Sequence, residues 1–70
     1  MIYFTRYAEN KFEILNSHKV YIRKEEVIEA LKTPDLKSKV AGLLSVQKNN
    51  IKVIYQKNND IKKVITFYPV

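Results

Sequence analysis

Apolar and polar residues alternate along the C-terminal half of the chain, from about Lys39 onward. A period of two is typical of strands that bury one face and expose the other. The pairs Asn49-Asn50 and Asn59-Asp60 interrupt this alternation, and Asn and Asp readily adopt the positive φ of tight hairpin turns. The pattern therefore predicts a three-stranded antiparallel meander with turns at these two pairs.

Counting outward from the two turns predicts how the three strands align. The predicted partners are Val46 with Val53, Leu44 with Tyr55, Tyr55 with Val64, Ile54 with Ile65, and Val53 with Thr66. The buried face then consists of Leu44, Val46, Val53, Tyr55 and Val64. The other face consists of Ser45, Gln47, Lys52, Gln56 and Lys63, with an apolar strip of Ile54, Ile65 and Phe67. A shift by one residue would mix the two faces, so their separation supports this alignment, which places Tyr68 on the buried side.

The N-terminal half of the chain follows helical spacing instead. Ile2 to Thr5 reads as a first strand, after which the Thr5 hydroxyl can cap a helix by accepting from a backbone N–H of its first turn. Ala8, Phe12 and Leu15 follow at the i, i+4, i+7 spacing of one buried helix face.

A second helix is predicted from about Lys24 to Lys32, and Pro34 ends it because the residue before a proline avoids helical geometry. The buried stripe of this helix is Val27, Ile28 and Leu31. The predicted order is β-α-α-β-β-β, a single α+β domain over residues 1–70 with two helices packed on one face of a small, mostly antiparallel sheet.

Composition narrows the classes of function. The chain has 70 residues, no cysteine and a single histidine, His18, so we expect neither disulfides nor a metal or organic cofactor. A chain this short buries little surface, and forming a dimer is a common way to bury more. No stretch is long and apolar enough to cross a membrane, and we expect a cytoplasmic protein. The net charge of +6 favours RNA, DNA or an acidic protein as partner.

Three stretches resemble a known family. "FTRYAENKF" (Phe4–Phe12), "IRKEEVIEALKTPD" (Ile22–Asp35) and "IKVIYQKNNDIKKVITFYP" (Ile51–Pro69) are similar to the opening, the second helix and the closing hairpin of the RelE/ParE superfamily. The short RelE-like domains grouped as DUF4258, relatives of the BrnT-type toxins, are the most similar. Tyr7 stands where that family often has histidine, and Lys11 stands where arginine is usual.

The resemblance implies a metal-independent endoribonuclease that cleaves mRNA and is held inactive by an antitoxin protein in a type II toxin-antitoxin system. Such cleavage needs a base for the 2′-hydroxyl, cations for the charge on the phosphate and an acid for the leaving oxygen. The candidate catalytic residues are Lys52 and Lys63, on the predicted open side of the sheet, and Tyr68, near the C-terminus where many of these toxins have a tyrosine or histidine. The candidate RNA-binding residues are Arg6, Lys11, Arg23, Lys52 and Lys63.

Two other interpretations use the same surface. An exposed apolar strip of Ile54, Ile65 and Phe67 is typical of a partner surface, for an antitoxin helix or for a second copy of the chain. Alternatively, the lysines together with Phe67 as a stacking platform would bind RNA or DNA without cleaving it. His18 has a side chain suited to acid–base chemistry, but it is equally an ordinary loop residue.

Overall fold

Two helices and five strands follow one another in the order β-α-α-β-β-β-β. A computed structural model describes the backbone of residues 1–70 and every side chain except that of Val40. The elements are β1 (Ile2–Phe4), α1 (Arg6–Ser17), α2 (Lys24–Lys32), β2 (Leu36–Val40), β3 (Leu43–Lys48), β4 (Ile51–Asn58) and β5 (Ile61–Pro69). They form one five-stranded sheet in the order β1-β5-β4-β3-β2, in which only β1 and β5 are parallel.

The predicted α+β class is confirmed, because both helices pack on the same side of this sheet. Helix α1 contacts β1 and β5, whereas α2 contacts β3 and β4. Between the two layers lies a core of buried side chains: Ala8, Val27, Ala30, Leu31, Val46, Ile51, Val53, Tyr55, Val64 and Phe67.

Helix α1 begins as predicted. The Thr5 Oγ1 accepts a hydrogen bond from the Ala8 N–H at 3.1 Å and donates one to the Ile65 carbonyl at 3.4 Å. Ala8 is fully buried, and Phe12 and Leu15 pack against the core. The Thr5 side chain therefore caps the helix and ties its first turn to β5.

Helix α2 has the predicted bounds, and Val27 and Leu31 are buried together with Ala30. Lys48 of β3 connects this helix to the sheet. Its Nζ donates to Thr33 Oγ1 at 2.6 Å, just beyond the last turn of α2. From β5, the Lys62 Nζ donates to the Leu31 carbonyl at 3.3 Å, so both ammonium groups lie near the negative end of the helix dipole.

The element order predicted from the sequence did not include strand β2. This strand pairs antiparallel with β3 through a turn at Ala41-Gly42, where φ is 51° and 80°. Two positive φ values in a two-residue hairpin loop are the geometry that glycine adopts at little cost and alanine rarely adopts. An Ala-Gly pair is therefore a weak signal for a turn. The mostly polar sequence of β2 also gave little indication of a strand.

The alignment of β3 with β4 is confirmed, with Val46 opposite Val53 and Leu44 opposite Tyr55. Across the second turn, Tyr55 faces Val64 as predicted.

Beyond Tyr55 the predicted alignment of β4 with β5 is wrong. A β-bulge makes Ile65 an extra residue in β5, so that Ile54 is opposite Thr66, and Val53 is opposite Phe67. One inserted residue shifts every later side chain to the other face.

The bulge turns Phe67 into the core and Tyr68 out of it. Phe67 is fully buried, and its ring centroid lies 4.4 Å from that of Phe12. Phe67 therefore cannot belong to the exposed apolar strip or serve as a stacking platform, and Tyr68 is not on the buried side.

Candidate nucleic-acid interface

The open face, defined as the surface of the sheet opposite the helices, carries two lysine–tyrosine pairs. Lys52 on β4 is the direct cross-strand partner of Tyr68 on β5. Lys63 on β5 is the direct partner of Tyr3 on β1. Side chains of directly paired residues project from the same face about 5 Å apart at their base, so each lysine has a tyrosine as its cross-strand neighbour.

The three predicted catalytic residues are only partly brought together. Lys52 and Tyr68 are neighbours, but Lys63 pairs with Gln56, which lies four residues along β4 from Lys52. At the rise of a strand this is a separation of about 13 Å. Lys52 and Tyr68 can therefore act on one phosphodiester group, whereas Lys63 is placed to contact another.

A shallow apolar depression lies beside the Lys52–Tyr68 pair. It encloses about 330 Å³ and is lined by Ala41, Leu43, Ser45, Lys52, Ile54 and Tyr68. Ser45 is only 6% exposed, and its Oγ lies 2.6 Å from that of Ser38. Either hydroxyl can donate in this bond, and when Ser38 is the donor, the Ser45 proton is free to bond to a ligand at the floor of the depression.

The predicted RNA-binding residues lie on two sides of the molecule. Lys52 and Lys63 are on the open face. Arg6 begins α1 and Arg23 precedes α2, and both are exposed in the helical layer, where Lys11 is half-buried. No flat surface includes all five, so a single short strand of RNA cannot contact the whole predicted set.

Two further candidates also lie away from the open face. His18 is exposed directly after α1, and its backbone N–H donates to the Leu15 carbonyl. Tyr7, in the first turn of α1, is 62% exposed. Of the predicted apolar strip, Ile54 and Ile65 remain half-buried at the sheet surface, whereas Phe67 is in the core.

Charge is segregated between the two layers. The five strands contain seven lysines and no aspartate or glutamate, whereas the two helices contain five of the seven acidic residues. Lys52 and Lys63 are the strand lysines on the open face. The others alternate or pair with core residues and so lie on the side of the helices: Lys37, Lys39, Lys48, Lys57 and Lys62.

One carboxylate in the helical layer has a shifted pKa. The Thr33 hydroxyl donates to Glu29 Oε1 at 3.0 Å, and the Lys48 ammonium lies 3.4 Å from the same oxygen. The hydrogen bond from Thr33, followed by the hydrogen bond and charge of Lys48, lowers the pKa of Glu29 below its ordinary value. This network joins α2 to β3 and is structural.

Several other features bear on the kind of function. Among the helices, neither is long and apolar enough to cross a membrane. Within the described part of the chain, no three His, Asp or Glu side chains gather as metal ligands. No protein-family model, curated protein or solved structure matches the chain.

Proposed function

We propose that the protein binds single-stranded RNA across its open face and cleaves it as a metal-independent endoribonuclease of the RelE-like toxin type. The observation that carries the proposal is the pair of lysine–tyrosine neighbours, Lys52 with Tyr68 and Lys63 with Tyr3, on the uncovered side of a sheet without acidic residues. The sequence resemblance to that family is a second support, and the order β-α-α followed by an antiparallel meander is the one expected from it, with one additional strand.

Each pair combines the two contacts that single-stranded nucleic acid offers. An ammonium group neutralises a phosphate, and an aromatic ring stacks on a base with about 1–3 kcal/mol regardless of its identity. Two such pairs about 13 Å apart along the strands suit an extended chain better than a compact ligand. This spacing supports binding across the sheet with little sequence preference.

Cleavage is assigned to the Lys52–Tyr68 pair. As the 2′-hydroxyl passes its proton to a water molecule, the 2′-oxygen bonds to the phosphorus atom to form a 2′,3′-cyclic phosphate, and the Lys52 ammonium stabilises the negative charge that develops on the phosphate. The 5′-oxygen leaves and takes a proton, which the neighbouring Tyr68 phenol can donate. Lys63, beside Tyr3, holds an adjacent phosphate and positions the RNA.

The test combines binding and cleavage by the purified protein. Affinity for a fluorescent oligouridine should fall with salt with a slope of about −0.7 per neutralised phosphate, that is, near −1.4 for two lysines. Labelled mRNA should be cut in buffer containing EDTA, with free or ribosome-bound mRNA as substrate. A flat salt response would reject RNA binding, and intact mRNA under both conditions would reject cleavage.

The apolar depression favours a second candidate, a protein-interaction module. Its lining of Leu43, Ile54 and Tyr68 is an uncovered apolar surface of the kind that receives a partner helix or a second copy of the chain. A dimer through this surface should show a mass that depends on concentration and should become a monomer with Ile54→Glu. An unchanged mass in light scattering would exclude self-association at this site.

A further inference from the structure

Three lysines converge at the end of the sheet that holds the β4–β5 turn. Lys57 and Lys62 are direct cross-strand partners, next to that turn. Lys39 of β2 pairs with Leu44, which in turn pairs with Tyr55, two residues before Lys57. Since Leu44 and Tyr55 face the core, the three lysines lie on the helix side, opposite the open face.

Lys39 and Lys57 line a depression that has no acidic side chain in its lining. It encloses about 280 Å³ and is lined by Lys39, Gly42, Leu44, Gln56, Lys57 and Asn58. Lys62 is the cross-strand partner of Lys57, and its Nζ donates to the Leu31 carbonyl of α2 at 3.3 Å. Among the described side chains, Asp60 is the nearest acid along the chain, in the adjoining turn, and forms no ion pair with any of the three.

Such an arrangement is unfavourable without an anion. Like charges directly opposite each other in a sheet are destabilising, and Lys57 and Lys62 are opposite each other. A phosphate group bound by Lys39 and Lys57 in the depression would relieve this repulsion.

We propose that Lys39, Lys57 and Lys62 form a phosphate site, separate from the open face, that binds the backbone of the RNA. The inference rests on the proposed function, because it takes RNA as the source of the phosphate. Lys62 and Lys63 are consecutive in β5 and project to opposite faces. An RNA chain that leaves the Lys63–Tyr3 pair therefore reaches the phosphate site by passing around the end of the β4–β5 hairpin.

Two double variants that remove the same charge from different faces test the proposal. Lys39→Ala/Lys57→Ala removes two exposed lysines of the phosphate site, and Lys52→Ala/Lys63→Ala removes the two of the open face. Pyrophosphate is added to each protein, and amide shifts are followed by NMR. We expect shifts at Leu44, Gln56 and Asn58 in the wild type and in the open-face variant, but not in the Lys39→Ala/Lys57→Ala variant.

Oligouridine affinity is measured on the same proteins. If both sites contact the RNA, the wild-type salt slope should be steeper than the value of about −1.4 expected for the open-face lysines alone. The Lys39→Ala/Lys57→Ala variant should bind about tenfold more weakly, with a slope less steep than that of the wild type by about 1.4. The absence of pyrophosphate-induced shifts in the wild type would overturn the phosphate site. So would the loss of these amide shifts in both variants to the same extent. RNA binding that depends only on the open-face lysines would overturn the phosphate site and retain the proposed function. Pyrophosphate shifts without RNA binding would retain the phosphate site but overturn both its RNA ligand and the proposed function.

Discussion

Lys52 and Tyr68 face each other across β4 and β5 on the side of the sheet that no helix covers. This proximity depends on the bulge at Ile65, because without the extra residue Tyr68 would face the core. The bulge thus places a proton donor beside a cation. Bulges near functional sites often reorient one side chain in this way.

Replacing either member of this pair should abolish most RNA cleavage without unfolding the protein. Lys52→Ala removes a charge that stabilises the transition state, and Tyr68→Phe removes only a proton donor, so each should lower kcat by about 100-fold or more. Initial rates on labelled mRNA measure this. Lys37→Ala, which removes a strand lysine from the other side of the sheet, should change the rate less than about twofold.

The two substitutions should differ in binding. Lys52→Ala should also reduce the salt slope of oligouridine affinity by about 0.7, whereas Tyr68→Phe keeps the ring and the affinity. Wild-type cleavage rates in both variants would show that the reaction does not occur at this pair.

Phe67→Ala should destabilise the fold strongly. Phe67 is fully buried and packs against Phe12, so loss of the ring leaves a cavity and costs about 3–5 kcal/mol of unfolding free energy. Urea denaturation followed by circular dichroism measures this change. Ile54→Ala, at a half-buried position on the open face, should cost clearly less. Equal losses for the two variants would contradict the bulged alignment of β5.

Thr5→Ala should remove two hydrogen bonds with one substitution. The Thr5 Oγ1 accepts from the Ala8 N–H and donates to the Ile65 carbonyl at the bulge. Loss of an N-cap alone costs about 1 kcal/mol, and the lost bond to the bulge adds to this. Denaturation midpoints of Thr5→Ala and Thr5→Ser measure the effect. Thr5→Ser keeps the hydroxyl and should remain close to wild type, so a similar loss in both variants would rule out the hydrogen bonds as the cause.

The carboxylate of Glu29 should contribute to stability in a pH-dependent way. Its folded-state pKa lies below the ordinary value of 4.5, so the contribution is present above pH 4.5 and is lost as pH falls through the folded-state pKa. The difference in stability between wild type and Glu29→Gln should therefore shrink as the solution is acidified.

An NMR titration of the Glu29 carboxyl tests the cause of that shift. Thr33→Val removes the hydroxyl that donates at 3.0 Å and should raise the pKa of Glu29 toward its ordinary value. Thr33→Ser keeps the hydroxyl and should leave the pKa low. An unchanged pKa in Thr33→Val would mean that the neighbouring lysines, Lys48 and Lys32, cause the shift without the hydroxyl.

Both helices and the alignment of β3 with β4 could be predicted from the sequence, because each depends on residues close together in the chain. A threonine cap, apolar residues at helical spacing and a proline after the last turn define α1 and α2 locally. The Asn49-Asn50 turn and one continuous buried face leave a single alignment for the adjoining strands. The position of Lys52 and Lys63 on the open face follows from the same alternation.

Strand β2, the bulge and the pairing of lysines with tyrosines depend on contacts between distant parts of the chain. The mostly polar segment Leu36–Val40 forms strand β2 because the edge of β3 presents backbone N–H and C=O groups that need hydrogen-bond partners. The run Val64 to Phe67 has no alternation that indicates a bulge, and the extra residue lets Phe67 pack against Phe12 of α1. Tyr3 lies beside Lys63 only because β1 adds to the edge of β5, about 60 residues later in the chain. Local patterns thus determined the two faces of β3 and β4, whereas the tertiary structure decided on which face Phe67 and Tyr68 lie and which side chains of the open face are neighbours.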